Sequence, residues 1–428
     1  MLSTMNEGMK MRKKLFLLIT ILVMCMPAMG EGIDRNAALK KAQVFMPGKH
    51  FVAGKTMRSA RAKGARTTDA FYIFNVKDDG GFVIVSGDDR TSDILAYSKH
   101  GNLDIDEMPE NMKWWLDEYA RQIEALDTSL EPVERRAQSY PEAIDPLITT
   151  RWDQGAPYNY MCPDGNRVDY DELGYDAEKR CITGCIATAL AQIMYYWRWP
   201  DTCPALEEYK STLGPIKALP ATTFKWDSMK DTYTSTEIGP SADAVAELMR
   251  YAGQATRVNY GLKSTSGWLY LDPIISVFQY SSDLLRRYRS SYDNDSWESK
   301  IYNELKARRP VLYFGSGELG GHLFIVDGYD GNGLFHFNWG WSGYLDTYSV
   351  LSIADTNEKG NFRYNQWAVI GMEPANDDRQ AAIESVDNEP TATGKSLYNL
   401  SGRRVEKASR GIYIIRKSDG TTKKVLIK

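Results

Sequence analysis

The chain reads as α+β, laid out as a small α/β unit, a larger unit and a short all-β tail. Three observations predict this. Two strand-like runs at 70–76 and 81–86 precede a helical pattern over 109–126. In the larger unit a cysteine, Cys185, heads a helical pattern, and more than a hundred residues later a histidine, His322, leads an apolar strand. Three short strand patterns then close the chain. With 428 residues the chain is too long for one hydrophobic core. Its 43% apolar and 25% charged residues are those of an ordinary globular protein. A formal charge of −4 gives no basic footprint, which argues against nucleic acid as a partner. The 26 Tyr and 11 Trp suit a surface that binds polypeptide or sugar.

Lys10, Arg12, Lys13 and Lys14 precede an apolar run over 15–26, and Ala28-Met29-Gly30 supplies small residues for cleavage. This is the grammar of a signal peptide over 1–30. As a helix the run would span about 18 Å, short of the roughly 30 Å of a bilayer core. Export is therefore expected rather than anchoring, and no later segment is long and apolar enough to span a membrane. Lipoprotein cleavage before Cys25 is the alternative, although Met24 is a poor residue there.

Residues 31–136 form the first unit. Asp34 caps a short helix reaching 45, and the basic, glycine-containing stretch 49–66 reads as a loop. Asp78-Asp79-Gly80-Gly81 lies between the two strand runs and makes them a hairpin. In the following helix Met112, Trp115, Leu116, Tyr119, Ile123 and Leu126 fall near one face. This unit holds no catalytic constellation. The polar stretch 131–140, with Pro132 and Arg135-Arg136, reads as an exposed linker open to proteolysis. The second unit covers 137–374. A polar, acidic linker over 375–393 leads to the tail, 394–428, where 396–400, 411–415 and 424–427 read as strands. Turns fall at Gly402 and Ser418-Asp419-Gly420.

The chemistry lies in the second unit. Ile186, Leu190, Ile193 and Trp197 recur at helical spacing, so a helix begins near Gly184, and Ala187, Ala189 and Ala191 let it sit deep in the core. Cys185 falls in its first turn, where unpaired N–H groups and the helix dipole favour a thiolate. A thiol of ordinary pKa, about 8.5, is only a few per cent thiolate at pH 7, so activation matters. The plain alternative is a buried structural cysteine or half of a disulfide. Of the four histidines, His50 and His100 lie in the first unit, which leaves His322 and His336. His322 follows Gly320-Gly321 at the edge of a strand and can face a cleft, so it is the expected base. His336 is expected to be a packed, hydrogen-bonded residue that shares a strand face with Asn338. Asn338 can accept from an imidazole and fix its tautomer, while Trp339 and Trp341 shield that bond from water. An oxyanion formed by attack on an amide needs donors. The Cys185 N–H is one, and Gln154 is the side-chain amide upstream for a second.

Four motifs carry a resemblance. Trp152-Asp153-Gln154-Gly155-x-Pro157-Tyr158-Asn159, Thr183-Gly184-Cys185-x-Ala187-Thr188-Ala189-x-Ala191-Gln192-Ile193-Met194, Gly321-His322-x-Phe324-x-Val326-Asp327-Gly328 and Asn338-Trp339-Gly340-Trp341 resemble the streptopain family of secreted cysteine peptidases in order and spacing across about 230 residues. The resemblance implies a papain-like domain with a helical half carrying Cys185 and a β-rich half carrying His322. It implies endopeptidase activity without a cofactor or metal, on protein or peptide substrates, with a hydrophobic residue two positions before the scissile bond. Carried over by position, Cys185 is the nucleophile, His322 the base, Asn338 its orienter and Gln154 the oxyanion donor. Gly320, Gly321, Trp339 and Trp341 then border the cleft.

The first unit, with Gly81-Phe82-Val83-Ile84-Val85-Ser86-Gly87-Asp88-Asp89, resembles that family's inhibitory propeptide. The chain is thus expected to be a zymogen in which the Cys185–His322 pair is formed but covered. The tail, with Tyr398-Asn399-Leu400-Ser401-Gly402-Arg403-Arg404 and Gly411-Ile412-Tyr413, resembles the sorting tails of Bacteroidetes secreted proteins. One departure from streptopain is the extra Cys162, Cys181 and Cys203. A Cys162–Cys181 bridge is expected to staple the loop that leads into the catalytic helix. Two other readings are compatible with the motifs. One is acyl transfer or amide hydrolysis on cell-wall peptides. The other is an exported, non-catalytic surface-binding protein on a peptidase scaffold.

Overall fold

The structure, a computed structural model, describes residues 32–54, 68–126, 140, 142–165, 174–317, 320–353, 366–375, 384–385, 396–398, 411–416 and 422–427. The signal-peptide segment, the Arg135-Arg136 stretch and most of the linker before the tail lie outside the described residues.

The N-terminal unit has the expected helices and hairpin and adds two strands, one of them at 51–53 within the stretch expected to be a loop. Helix α1 (Arg35–Phe45) starts where Asp34 accepts the N–H of Ala37 at 2.8 Å, satisfying one of the orphan donors of the first turn. Strands β1 (Phe51–Ala53), β2 (Phe71–Val76), β3 (Phe82–Ser86) and β4 (Ile94–Ser98) form an antiparallel meander. Between β2 and β3 the chain reverses through Asp78 and Asp79, both in the left-handed region at φ 59° and 54°. Aspartate tolerates that region better than most side chains. Helix α2 (Glu110–Ala125) then crosses back over the sheet.

The second unit opens with helix α3 (Cys185–Trp197), in which every residue from Ile186 to Tyr195 is buried. A helix apolar on all sides belongs in a core, and the alternate alanines allow close approach. Short strands β5 (Thr202–Cys203), β6 (Tyr209–Ser211), β7 (Gly214–Ile216) and β8 (Thr222–Thr223) pair locally, β5 with β8 and β6 with β7. Helices α4 (Pro240–Ala255) and α5 (Asp272–Ser276) complete the helical half. The β-rich half contains β9 (Leu285–Tyr288), helix α6 (Asn294–Lys306), β10 (Val311–Gly317), β11 (Gly320–Tyr329), β12 (Phe335–Asn338), β13 (Thr347–Ser349) and β14 (Gln366–Ile370). In the tail, β16 (Ser396–Tyr398), β17 (Gly411–Arg416) and β18 (Thr422–Ile427) pair in order, close to the three expected strands. An added strand, β15 (Glu384–Ser385), lies parallel to β18.

The two units are not separate layers. One antiparallel sheet runs β1-β2-β3-β4-β13-β12-β11-β10-β14-β9 through both. The joint is short: Tyr97 faces Tyr348 and Ala96 faces Ser349, and the Val350 N–H donates to the Leu95 carbonyl at 2.9 Å. The rings of Tyr97 and Tyr348 stack at 5.1 Å across it. Strand alternation in β11 divides the cores. Leu323 and Ile325 join Ile186 and Leu190 of α3 on one face, while Phe324 and Val326 join Trp115 of α2 on the other.

Trp115 is the centre of that second core. Its ring lies edge-on to Phe324 at 5.5 Å, Phe337 at 5.5 Å, Trp339 at 5.8 Å and Tyr313 at 6.3 Å. Space for it comes from Gly315. A Cβ there would meet Trp114 at 2.9 Å and Trp115 at 3.1 Å. Trp115→Ala is therefore expected to cost about 3–5 kcal/mol, the range for truncating a buried aromatic. Val44→Ala, at a side chain 82% exposed, should stay within about 0.5 kcal/mol. Urea midpoints of the full chain carrying Cys185→Ala measure both, and equal shifts would contradict this account of the core.

Candidate active site

Cys185 is the first residue of α3, and Gly184 before it sits at φ 83°. Glycine is required there twice over. The left-handed backbone disfavours a side chain, and a Cβ would lie 2.7 Å from the Thr265 side chain. The thiol is half-buried, and the backbone amides of Leu323, Cys185 and Ile186 near it favour the thiolate. Burial outweighs them, and the thiol is held above its ordinary pKa. The helix N-terminus favours the thiolate as expected, but burial outweighs it where no imidazolium is bonded to the thiol.

His322 lies in β11 beside Leu323, opposite Gly315 of β10, and is 2% exposed. Its Nε2 faces the Trp339 carbonyl at 2.9 Å. A carbonyl only accepts, so Nε2 carries the hydrogen and Nδ1 the lone pair of the neutral ring. Burial pushes the imidazole down to about 4, against the opposing pull of that carbonyl. Trp341 stacks on the ring at 4.7 Å, and Trp339 lies at 6.0 Å, nearly parallel to Trp341. The tryptophans thus cover the imidazole itself, not the Asn338–His322 bond they were expected to shield, which is not formed. No hydrogen bond joins Cys185 to His322 among the described residues. The ring belongs to the aromatic core under α2, while Cys185 packs against the core around α3. His322 is buried, but the Cys185–His322 pair that was expected to be formed is not hydrogen-bonded.

Asn338 ends β12. Its Oδ1 accepts from Gln192 Nε2 at 3.2 Å and from the Gly340 N–H at 3.1 Å, and its Nδ2 donates to the Thr150 carbonyl at 2.9 Å. The contact expected between Asn338 and His322 is thus replaced by an indirect one. Gly340 N–H and Trp339 C=O belong to one peptide unit, so Asn338 holds one end of that unit and His322 the other. Gln154 is half-buried, and its carbonyl accepts the Thr183 N–H at 3.0 Å, which draws its loop to within two residues of Cys185. Gly320 is exposed at φ 125°, and Gly321 lies against Phe314, whose ring a Cβ would meet at 2.4 Å.

His336 is the packed histidine that the strand pattern predicts. Its Nδ1 lies 2.6 Å from Asp327, which also accepts the Ile148 N–H at 2.9 Å. Burial alone would lower its pKa; the Asp327 carboxylate, through charge and hydrogen bond, raises it overall. Nearby, Asp346 accepts the Trp339 N–H at 3.0 Å, and burial lifts its carboxyl to about 6.

The expected Cys162–Cys181 bridge is not formed: Cys162, Cys181, Cys185 and Cys203 are all free. Burial pushes the Cys162 thiol up to about 12 and the Cys181 thiol to about 11, so neither has thiolate character at neutral pH. Backbone bonds tie the loop instead, from Cys181 N–H to Pro163 at 2.9 Å and Gly165 N–H to Lys179 at 2.9 Å. Sequence reading missed Thr150, Gln192 and Asp346 as parts of the site. Gln192 stands inside a quoted motif, but nothing in its spacing distinguishes it from a core glutamine. The Trp339 carbonyl, as backbone, leaves no signature in residue type at all.

Comparison with known proteins identifies both units. Residues 152–349 match the Peptidase C10 family, and residues 31–123 match the Spi protease inhibitor family. The thiol protease/hemagglutinin PrtT of Porphyromonas gingivalis is 28% identical over 429 residues, an alignment covering 92% of this chain and 47% of that protein. The chain thus spans under half of that relative's length. Streptopain of Streptococcus pyogenes is 32% identical over 325 residues, covering 71% of this chain and 80% of streptopain. The solved structure of a prointerpain A fragment from Prevotella intermedia superposes with a TM-score of 0.60 at 26% identity, covering 76% of this chain and 99% of that one. Together with the helical half, the β-rich half and the propeptide unit, the streptopain match establishes that the chain belongs to the Peptidase C10 family, the streptopain-like cysteine peptidases, and carries an N-terminal inhibitor domain.

Proposed function

We propose that this chain is the exported precursor of a cysteine endopeptidase, held latent by residues 31–136 and matured by cleavage in the stretch 131–140. The observation that carries this reading is the packing of α3, which Cys185 heads, against β11, which carries His322: Ile186 and Leu190 share one core with Leu323 and Ile325. In the working enzyme His322 Nδ1 takes the thiol proton, and the resulting thiolate attacks the scissile carbonyl. The oxyanion is held by the Cys185 N–H and the Gln154 amide. The imidazolium then protonates the leaving amine, an acyl-enzyme forms on Cys185, and water deprotonated by His322 releases the second product. Asn338 keeps Nε2 as the protonated nitrogen by way of the Trp339–Gly340 peptide. A hydrophobic residue two positions before the cleaved bond, residues 1–30 as the signal for export, and residues 394–428 as a sorting tail complete the proposal. Among the described residues no helix is long and apolar enough to cross a membrane.

In the precursor the aromatic core buries His322 and keeps its ring neutral, with Nε2–H on the Trp339 carbonyl as in the working enzyme. Removing α2 withdraws Trp115 from Trp339 and Phe324, hydrates the ring, and lets it pair with the thiol.

Cys185→Ala is expected to abolish both casein cleavage and self-processing near Arg136. His322→Ala should lose at least about 10³-fold in kcat/KM, as loss of a general base does, and His336→Ala far less. Hydrolysis that survives in Cys185→Ala would sink the peptidase reading.

The histidines also set the pH response of the precursor. The folded pKa of His322, about 4, lies below its unfolded value of about 6.5. Its contribution is complete above pH 6.5 and is lost as pH falls toward 4. The folded pKa of His336 is raised, so its contribution is complete below pH 6.5 and is lost as pH rises through the folded value. Urea midpoints of the Cys185→Ala precursor should therefore fall on both sides of pH 6.5. Adding His322→Gln should flatten the acid side and His336→Gln the alkaline side; the opposite assignment would overturn it.

A further inference from the structure

Gln192 lies seven residues after Cys185, two helical turns along α3, and so on nearly the same face. It is 0% exposed, and both ends of its amide are hydrogen-bonded. Oε1 accepts from the Thr150 hydroxyl at 2.7 Å, from Asn338 Nδ2 at 3.3 Å and from the Trp152 N–H at 3.5 Å, while Nε2 donates to Asn338 Oδ1 at 3.2 Å. The two side-chain amides therefore face each other reciprocally. Backbone groups, which cannot be reassigned, fix which way each one points: the Trp152 N–H requires an acceptor on Gln192, and the Thr150 carbonyl with the Gly340 N–H settles Asn338. Asn338 is 3% and Thr150 2% exposed, so no water competes for these bonds.

We propose that Gln192 is a positioning residue for the Cys185–His322 reaction. It locks Asn338, and through the Gly340 N–H the peptide on which His322 rests, to the same helix that presents Cys185. This rests on the reading of Cys185 and His322 as the catalytic pair. Nucleophile and base come from opposite halves of the fold, and a fixed amide pair across the boundary sets their relative placement without touching substrate. Loss of Gln192 should therefore affect turnover and the protonation of His322 rather than substrate affinity. Close approach is part of the design: a Cβ on Gly340 would sit 3.1 Å from Thr188 and 3.8 Å from Gln192 Nε2.

The test compares wild type, Gln192→Met, Gln192→Glu, Asn338→Ala and the Gln192→Met/Asn338→Ala double variant. Each is expressed as the full chain, matured with immobilised trypsin and titrated to its end point with the epoxide E-64. Rates per titrated site remove any fraction that fails to fold. Expected are a fall of tenfold or more in kcat for both Gln192 variants, KM within twofold, an acid limb of the kcat/KM profile displaced from wild type, and a double variant no slower than Asn338→Ala alone. An unchanged kcat per site, a rise in KM alone, an unmoved pH profile or multiplying effects in the double variant would each overturn the proposal. Wild type that neither cleaves peptide nor takes up E-64 would instead remove the peptidase reading itself, an outcome separate from any behaviour of Gln192.

Discussion

The indole of Trp115 occupies the face of β10, β11 and β12 that also carries His322, and much of the site's state depends on that occupation. A buried tryptophan removes roughly 150–250 Å² from water, worth about 4–6 kcal/mol at the usual coefficient. The propeptide thereby closes the aromatic layer of Phe324, Phe337 and Trp339. Burial of that layer depresses the His322 pKa to about 4, and a neutral ring takes a backbone carbonyl as its partner more readily than it ionises. Gly315, the cross-strand neighbour of His322, is the one residue type that lets the helix come so close.

Latency is then a matter of protonation as well as access. A thiolate–imidazolium pair needs the thiol lowered and the imidazole raised together. In the precursor both move the other way: burial lifts Cys185 and lowers His322. Each is neutral at neutral pH and neither offers the other a charge. The amides of Leu323, Cys185 and Ile186 favour a thiolate against that burial, which on the proposed mechanism leaves the imidazole as the group still to be activated. What is missing is a hydrated, mobile imidazole, and the residues that withhold it come partly from α2.

Much of this was legible in the sequence, and the exceptions have a common cause. Asp34 as a cap, the hairpin around Asp78-Asp79, the buried helix from Cys185 and the strand led by His322 all depend on local pattern, and all appear. His336 is hydrogen-bonded as its pattern implies, held by Asp327 on a strand face it shares with Asn338. The ten-stranded sheet was not legible, since pairing of β4 with β13 joins residues some 250 positions apart. The Trp339 carbonyl and the Gln192 amide were missed for a different reason. They act through geometry that residue type does not encode. The expected Cys162–Cys181 bridge failed because local backbone bonds already close that loop.

The joint between propeptide and peptidase divides strength from specificity. The backbone contribution is slight: two residue pairs and one further N–H bond connect β4 to β13 and its flank. Net of water, each such bond is worth about 0.5–1.5 kcal/mol, less in sum than the burial of Trp115 alone. Strand pairing fixes register and direction, while side-chain packing by α2 supplies most of the hold. Such an arrangement is stable while the two units are one chain, because no translational entropy opposes the contact. Once the connecting stretch is cut, the same contact must bear the cost of association. On the proposed maturation a short strand joint can give way without disturbing β10 to β12, and the Gln192–Asn338 amide pair, which contains no propeptide residue, is left intact.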